Sequence, residues 1–402
     1  MRICFVLDFP VTNTGGVVYS TINQIKALQQ AGHTVYIFAN QAIDNVNSFA
    51  LKPSLTINLP NTIFILPGYV NSKKRQKVIR QLLIKNKIDC VWLQSELSLA
   101  LIVQDVAREL NIPVIFTVHS IFWQIDKLPL SRVAAFAIRQ ALHWLCKRPI
   151  YIQPRTTGTL IERLLKSLTL NVASASDAVV SPSQHQLETL RSLDRNLPLY
   201  NIPNPFLPAG TSLSPAHTIS SISPNEPLRI LWVGRLTPEK RPLEFLEALS
   251  QCPSEFIQCT MIGDGILLKE MRRRYGKLPH VLIAGPKTNN ETIAAIDQSH
   301  LVALTSYHFD NQPMVVAEAI SRHRPVLYCD ERLTAEGLKE AGILTANSSP
   351  EAIAQTIKQL AGSPEQIIKL SRAAAKAKTV FDAKSYAKKA EKLIVGLLKN
   401  RK

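Results

Sequence analysis

The segment that decides the fold runs from residue 228 to residue 240 and reads Leu-Arg-Ile-Leu-Trp-Val-Gly-Arg-Leu-Thr-Pro-Glu-Lys. Its first six residues are mostly apolar, as in a strand buried on both faces of a parallel sheet. Gly234, Arg235 and Lys240 follow this strand. Ligands of parallel sheets bind beyond the carboxyl ends of the strands, where a guanidinium and an ammonium would suit a diphosphate. An ordinary basic loop is the alternative reading of this motif alone.

The same alternation of strand and helix extends in both directions from this segment. Apolar runs predict strands at 3–7, 34–38, 91–93 and 114–118, and further strands at 257–262, 280–284, 301–304 and 325–328. Helical spacing lies between them, for example at 97–110 and 313–320. Strands that alternate with helices predict an α/β protein built from doubly wound parallel sheets.

The length of 402 residues favours two domains, because a single hydrophobic core rarely grows so large. Residues 207–227 are rich in Ser, Pro and Gly and are predicted to be a linker. We therefore expect a first Rossmann-like domain at 1–206 and a second at 228–383, facing each other across a cleft. A terminal helix at 384–402 is expected to pack back on the first domain, through a stripe that contains Tyr386, Ala390, Leu393, Ile394 and Leu397.

Composition narrows the class of protein. The chain has 47 Lys and Arg against 30 Asp and Glu, a net charge of +17, which favours an anionic partner. A nucleic-acid-binding protein would need an aromatic and basic face that the sequence does not offer. Six scattered cysteines without a Cys-x-x-Cys pair favour a reducing, cytoplasmic location and no structural zinc. We expect neither a signal peptide nor a membrane-spanning helix.

Two further loops carry candidate binding residues. Gly15 and Gly16 precede the first helix, where backbone amides can approach an anion, although a plain tight turn is an equal alternative. The segment 306–318 places Asp310 in a loop and Glu318 in the helix that begins near Pro313. One carboxylate could bind a ribose diol and the other a sugar hydroxyl. The structural alternative makes Asp310 a helix cap and Glu318 a surface residue.

Together these motifs resemble the retaining family-four glycosyltransferases of the GT-B fold, whose hallmark is two acidic residues spaced Glu-x7-Glu. Here the pair is Asp310-x7-Glu318. The resemblance covers nearly the whole chain. The matching motifs are the Gly-Gly loop, Val-His at 118–119, 177–183, Ile-Pro-Asn-Pro at 202–205, 233–236 with Lys240, and Gly-Asp-Gly at 263–265.

The resemblance implies a role for each matching residue. Arg235 and Lys240 would bind the donor diphosphate, Glu318 the ribose, and Asp310 with the amides of Asn311 and Gln312 the transferred sugar. Gly16, beside Gly15, would complete the phosphate site, and His119 would lie near the reacting sugar. Asp310 departs from the family's usual Glu by one methylene, which shortens its reach and puts the sugar preference or the rate in doubt.

The implied function is transfer of a hexose-type sugar from a nucleotide sugar to an acceptor glycan or glycolipid, with retention and without metal or cofactor. Front-face substitution is favoured, because no carboxylate of the motifs is an obvious nucleophile. A sugar-nucleotide epimerase of related architecture and a degenerate, inactive relative remain alternatives. An NAD-dependent dehydrogenase is disfavoured, because the first loop lacks Gly-x-Gly-x-x-Gly.

A basic and aromatic stretch at 121–170 indicates peripheral contact with an anionic membrane at the cytoplasmic face. Its cations outnumber its acids and alternate with apolar side chains such as Phe122, Trp123, Phe136 and Trp144. A second basic cluster comprises Lys73, Lys74, Arg75, Lys77 and Arg80. The alternative is that the apolar residues pack inside the domain while the cations face water.

Overall fold

The computed structural model describes residues 1–10, 15–58, 65–119, 136, 139–141, 143–145, 152–153, 156–207, 214–223 and 226–401. It divides the chain into two compact units. Unit 1 comprises Met1–Pro205 together with Ala383–Lys402, and unit 2 comprises Phe206–Asp382. Unit 1 is therefore built from two separate stretches of the chain, whereas unit 2 is continuous.

Unit 1 contains a parallel sheet of seven strands in the order β3-β2-β1-β6-β7-β8-β9, and a separate antiparallel pair, β4 and β5. Its strands are β1 (Arg2–Val6), β2 (Thr34–Ala39), β3 (Asn47–Ala50), β4 (Leu55–Asn58), β5 (Ile65–Gly68), β6 (Cys90–Leu93), β7 (Val114–Thr117), β8 (Ala178–Ser181) and β9 (Leu199–Asn201). The strand order reverses between β1 and β6, and this switch point is where ligands of such sheets bind.

The helices of unit 1 cover a core formed by the central strands. Those that the structure describes from end to end are α1 (Gly16–Gln30), α2 (Lys73–Lys85), α3 (Ser98–Glu109), α4 (Leu160–Ala173), α5 (Gln184–Leu193) and, later in the chain, α12 (Ala383–Lys399). The residues of β6 and β7 are all buried, as expected for parallel strands covered on both faces.

Helix α12 packs against α1 within unit 1. The hydroxyl of Tyr386 donates a hydrogen bond of 3.1 Å to Oε1 of Gln24, and the carboxylate of Glu391 lies 2.8 Å from Nε2 of His33. The apolar stripe of α12 is buried from Tyr386 to Ile394. No helix in the described part of the chain is long and apolar enough to cross a bilayer.

Unit 2 contains a parallel sheet of six strands in the order β12-β11-β10-β13-β14-β15. Its strands are β10 (Leu228–Val233), β11 (Ile257–Ile262), β12 (Val281–Gly285), β13 (Leu301–Leu304), β14 (Val326–Tyr328) and β15 (Gly342–Leu344). Its helices are α6 (Pro242–Ser250), α7 (Leu268–Tyr275), α8 (Asn289–Gln298), α9 (Met314–Ser321), α10 (Pro350–Ala361) and α11 (Pro364–Ala377). Strand β10 lies between β11 and β13, so the switch point of unit 2 lies beside the segment 228–240.

The expected α/β architecture with two parallel sheets is confirmed. Strands β10, β11 and β13 have the predicted boundaries, and the other predicted strands and helices differ by a residue or two at their ends. Much of the basic and aromatic stretch, including Phe122, Trp123 and all of 120–135, lies outside the described residues, as do Asn13 and Thr14 before the Gly-Gly pair.

Candidate active site

The candidate site of unit 2 lies where three loops leave the carboxyl ends of neighbouring strands. Gly234–Arg241 follows β10, 263–267 follows β11, and 305–313 follows β13. Because β11, β10 and β13 are adjacent in the sheet, the loops emerge side by side. The predicted residues Arg235, Lys240 and Asp310 therefore come from adjacent loops of a single sheet edge.

The loops after β10 and β11 pack so closely that only glycine fits between them. The backbone amide of Leu236 donates to the carbonyl oxygen of Asp264 at 2.8 Å. A Cβ atom on Gly263 would lie 1.9 Å from the carbonyl oxygen of Gly234, and Gly263 has a φ of +152°. The Gly-Asp-Gly motif thus fixes the backbone on which Arg235 is carried.

Lys240 and Asp310 form a largely buried ion pair between Nζ and Oδ1. The other carboxylate oxygen, Oδ2, accepts a hydrogen bond from the hydroxyl of Ser306. The Lys240 ammonium also lies 5.3 Å from the centroid of the Phe309 ring, within the range of a cation–π contact. The alternative that Asp310 is only a helix cap does not fit these contacts, because α9 begins four residues later, at Met314.

The backbone of Lys240 is held separately from its ammonium. The hydroxyl of Thr305 lies 2.9 Å from the carbonyl oxygen of Lys240 and accepts a hydrogen bond of 2.9 Å from the indole nitrogen of Trp232. Arg241, the next residue, has a left-handed φ of +56° and ends the turn before Pro242 begins α6. These contacts fix the backbone of the loop after β10 and place Lys240 against the segment after β13.

Arg235 has a more exposed side chain than Lys240, which is 17% exposed. Its guanidinium lies 3.6 Å from the carboxylate of Glu239, and its side chain is 29% exposed. An ion pair this long and this exposed contributes little to stability. The side chain of Arg235 is therefore partly exposed at the sheet edge.

Glu318 lies in α9 and is buried, contrary to the alternative of a surface residue. Burial raises the pKa of its carboxyl group to about 7. Asn311 and Gln312, which precede Pro313 at the start of α9, are also buried. Asp310, Asn311 and Gln312 directly precede the amino terminus of α9, where backbone N–H groups favour negative charge, whereas Glu318 lies further along the same helix.

In unit 1, Gly15 and Gly16 lie at the start of α1. Gly15 is the N-cap and has an extended backbone, with a φ of −70°, and no side chain caps the helix there. A Cβ atom added to Gly16 would meet no other atom within 4 Å. Neither glycine has a positive φ, and no described atom lies close to the position of a Cβ at Gly16, so packing among the described residues does not require a glycine there.

His119 follows β7, next to the end of β6. Its Nε2 atom lies 2.5 Å from Oε1 of Gln94, and its Nδ1 atom lies 3.4 Å from the hydroxyl of Ser20. Burial lowers the pKa of His119 to about 3, so the ring is neutral at physiological pH. It can exchange hydrogen bonds but does not supply a positive charge.

Sequence reasoning missed several polar residues at these edges. Asp8, which follows β1, accepts hydrogen bonds from the Ser95 hydroxyl at 2.6 Å and from the Leu99 amide at 2.7 Å. Burial raises the pKa of Asp8 to about 6 and that of Glu96, which accepts from Thr169, to about 7. A position directly after a strand was the signal for these residues, as it was for Arg235. Ser306 and Gln94 carry the same signal and were also missed.

Among the residues that the structure describes, no group of three or more His, Cys, Asp or Glu side chains could hold a metal ion. The charged residues that the sequence predicted at the unit 2 edge are two cations, Arg235 and Lys240, and two carboxyl groups, Asp310 and Glu318. Five described cysteines are buried and form no disulfide.

Comparisons with known proteins agree with this architecture. The family model described as Glycosyltransferase Family 4 matches residues 14–206, and the model described as Glycosyl transferases group 1 matches residues 227–363. No protein of curated function is significantly similar in sequence.

Solved structures match over nearly the full length of both chains. Anabaena HepE in complex with UDP has 15% identity and a TM-score of 0.67, covering 98% of this chain and 100% of its own. Sucrose-phosphate synthase from Thermosynechococcus elongatus has 15% identity and a TM-score of 0.68, covering 99% of each chain. A glycosyltransferase from Rickettsia africae has 16% identity and a TM-score of 0.67, with the same coverage.

At these identities the structural matches concern the fold, whereas the two family models match the sequence itself over most of its length. The carboxyl-edge loops described above fall inside the matched ranges. The chain therefore belongs to the family-4, group 1 glycosyltransferases and has the GT-B fold.

Proposed function

We propose that this glycosyltransferase moves a hexose-type sugar from a nucleoside diphosphate donor to an acceptor hydroxyl, with retention of configuration and without a metal ion. The observation that carries the proposal is the Lys240–Asp310 pair at the carboxyl edge of the unit 2 sheet, with Arg235 on the same loop as Lys240. Two cations over this edge suit a diphosphate, whose departing charge they can neutralise.

Each remaining site residue takes a role that fits its surroundings. Glu318 accepts hydrogen bonds from the ribose hydroxyls, which favour its ionised form. Asp310, with the backbone amides of Asn311 and Gln312, binds the transferred sugar. His119 acts as a neutral hydrogen-bonding group near the reacting sugar. Gly15 and Gly16 bind phosphate through the amino terminus of α1, where Gly16 has no side chain to obstruct the anion.

The proposed reaction is a front-face substitution. The acceptor oxygen bonds to the anomeric carbon on the face from which the diphosphate leaves, and the carbon–oxygen bond to that phosphate breaks. The departing phosphate oxygen takes the proton of the acceptor hydroxyl. Arg235 and Lys240 stabilise the negative charge that grows on the diphosphate as this bond breaks.

The nucleotide sugar to test first is chosen from the ligands of a structurally similar protein. Structures of Anabaena HepE contain UDP, UDP-glucose, or UDP with glucose. UDP-sugars are therefore the first donors to test for this chain, ahead of sugars linked to other nucleosides.

The acceptor is proposed to be a glycan or glycolipid of envelope polysaccharide synthesis, reached by peripheral docking of unit 1 on the anionic cytoplasmic face of a membrane. The support is the basic surface, defined here as Lys73, Lys74 and Lys77 of α2. All three side chains are exposed, and the first turn of α2 carries no acid. An anionic leaflet attracts such lysines.

Aromatic side chains accompany the basic surface. The amide of Asn71, just before α2, donates to the carbonyl oxygen of Leu145 at 2.7 Å, which brings the preceding residue, Trp144, near this helix. Trp144 is 52% exposed, as amphipathic anchors of interfacial segments are. Arg75 and Arg80 are instead engaged within unit 1, Arg75 with the Val70 carbonyl and Arg80 with Glu109.

A nucleotide-sugar screen tests the proposal. The purified protein is heated with UDP, GDP and ADP and with their sugar conjugates, and hydrolysis of each conjugate is followed in parallel. We expect one nucleotide to raise the melting temperature and its sugar conjugate to be hydrolysed slowly without acceptor. Stabilisation by none of these compounds, together with no hydrolysis, would contradict the proposed donor site.

A further inference from the structure

We propose that Ser306 is a positioning residue that holds the Asp310 carboxylate in the orientation in which it binds the Lys240 ammonium. This inference rests on the proposed function, since it assumes that Lys240 stabilises the departing diphosphate. No motif of the sequence assigned Ser306 a role.

The contacts of the Asp310 carboxylate carry the inference. Oδ1 accepts from Lys240 and Oδ2 accepts from Ser306, so each oxygen has its own donor. Ser306 is 1% exposed and follows β13 closely, and its neighbour Thr305 is equally buried. A donor fixed on a strand end therefore sets the plane of the carboxylate. An ionised carboxylate can accept about four hydrogen bonds, which leaves capacity for hydroxyls of a sugar.

The arrangement matters because a lysine side chain is flexible. Its ammonium sits on a four-carbon stem, and fixing that stem costs conformational entropy. The segment from Thr305 to Asp310 meets Lys240 at both ends: Thr305 at the backbone carbonyl, and Phe309 and Asp310 at the ammonium. The cation is therefore placed before the donor arrives, and less reorganisation remains for the reaction itself.

Asp310 has a short side chain, so its direction is set by few torsions and a single hydrogen bond to Oδ2 can decide it. Without the Ser306 hydroxyl, the carboxylate can rotate about its terminal torsion, and the Lys240 ammonium follows it. The loss should appear in kcat more than in KM, because the charge on the diphosphate is greatest in the transition state.

The experiment compares Ser306→Ala with a matched serine elsewhere in unit 2. Ser371 is also buried, donates to the carbonyl oxygen of His323 at 2.8 Å and accepts from the amide of Ile219 at 2.9 Å, away from the carboxyl edge. We expect Ser306→Ala to lower kcat roughly 10- to 100-fold, the range for a buried hydrogen bond to a charged group. Ser371→Ala should leave kcat unchanged while lowering the melting temperature.

Two further variants separate positioning from packing. Ser306→Thr keeps the hydroxyl and should recover most of the lost kcat, whereas equal losses in Ser306→Ala and Ser306→Thr would overturn the inference. In a double-mutant cycle, adding Ser306→Ala to Lys240→Ala should cause little further loss of UDP affinity or of residual hydrolysis. Fully additive losses would mean that Ser306 acts independently of Lys240 and would also overturn it.

The cycle keeps the two proposals apart. If Lys240→Ala retains normal turnover, the proposed donor site is wrong. The role of Ser306 is then wrong as well, because it depends on Lys240. If Lys240→Ala loses turnover but Ser306→Ala keeps it, the donor site stands and only the role of Ser306 is wrong.

Discussion

The ring of His119 hydrogen-bonds to the side chain of Gln94 at 2.5 Å, and the two residues leave adjacent parallel strands, β7 and β6. The amide oxygen of Gln94 accepts the hydrogen on Nε2, which leaves Nδ1 facing the Ser20 hydroxyl. The tautomer of this histidine is thus set by the buried side-chain amide of Gln94, which follows the neighbouring strand.

His119 is expected to act as a neutral group at every working pH. Its folded pKa of about 3 lies below the ordinary value of 6.5, so the unfolded chain binds more protons as the pH falls below about 6.5. The stability that His119 contributes is therefore lost as the pH falls from about 6.5 towards 3. We expect His119→Ala to lower kcat about 100-fold without changing the shape of the kcat profile between pH 5 and 8.

The exposed His143 supplies the control, since His143→Ala should leave kcat unchanged. An acid limb near pH 6 that is present in the wild type and absent in His119→Ala would contradict the neutral role.

Lys240→Ala is expected to abolish most turnover and also to lower the melting temperature, because it leaves the Asp310 carboxylate buried without its cation. Lys240→Ala/Asp310→Asn removes both charges and should regain much of the melting temperature without regaining activity. Lys369→Ala, at an exposed position of α11, is the control and should change neither quantity. Recovery of activity in the double variant would show that Lys240 serves the fold alone.

Glu318 should make both stability and nucleotide binding depend on pH. Its folded pKa, about 7, lies above the ordinary value of 4.5, so the folded protein holds this proton more tightly. The stability it contributes is present below about pH 4.5 and is lost as the pH rises through about 7. Glu318→Gln should therefore raise the melting temperature of the free protein at pH 8 and change it little at pH 5.

The same carboxyl group is proposed to accept hydrogen bonds from the ribose, which favour its ionised form. The wild type should bind UDP more tightly at pH 8 than at pH 6, and Glu318→Gln should bind weakly with little dependence on pH. Titration calorimetry at the two pH values measures this. Equal affinity of the wild type at both would remove Glu318 from the nucleotide site.

Turnover is expected to persist in excess EDTA, because Arg235 and Lys240 are proposed to supply the positive charge at the diphosphate. Dialysis against EDTA, followed by assays with and without added Mg²⁺ or Mn²⁺, measures this. A complete loss of turnover that either metal restores would overturn the metal-independent mechanism. It would not contradict the proposed contacts of Arg235 and Lys240 with the donor.

Binding to anionic vesicles should require the basic surface. Each lysine near an acidic leaflet contributes about 1 kcal/mol, so charge reversal by Lys73→Glu, Lys74→Glu and Lys77→Glu should eliminate sedimentation with anionic vesicles at low salt. The control variant carries Arg272→Glu, Arg273→Glu and Arg274→Glu at exposed positions of α7, which change the net charge by the same amount. It should still bind anionic vesicles. Equal partitioning of the wild type to neutral and anionic vesicles would exclude electrostatic docking.

The sequence predicted most of the central strands, with β8 the exception, and the edge strand β12, but it did not predict three short edge strands. Strands β10, β11 and β13 are paired on both sides, and their apolar runs identified them to the residue. Strands β3, β9 and β15 lie at sheet edges and are three or four residues long. Their side chains are partly exposed, so the sequence has no long apolar run that would predict them. Their existence depends on a neighbouring strand.

The sequence could predict which residues lie at the carboxyl edge of each sheet, because a residue directly after a parallel strand must lie there. It could not predict contacts between side chains, since the Ser306–Asp310 and His119–Gln94 bonds depend on torsions that no spacing encodes. The burial of Glu318 was predictable in principle. Helix α9 is apolar on nearly every face, which is typical of a helix enclosed by its neighbours.

The return of α12 to unit 1 also sets the order in which the protein can fold during synthesis. Unit 2 is continuous, so all of its residues have been translated once Asp382 has been added. Unit 1 must wait for α12, and until then the surface of α1 that binds Tyr386 stays uncovered, as does His33, the partner of Glu391. The half that is translated first is thus completed last, and a chain released before residue 383 would contain a complete unit 2 and an incomplete unit 1.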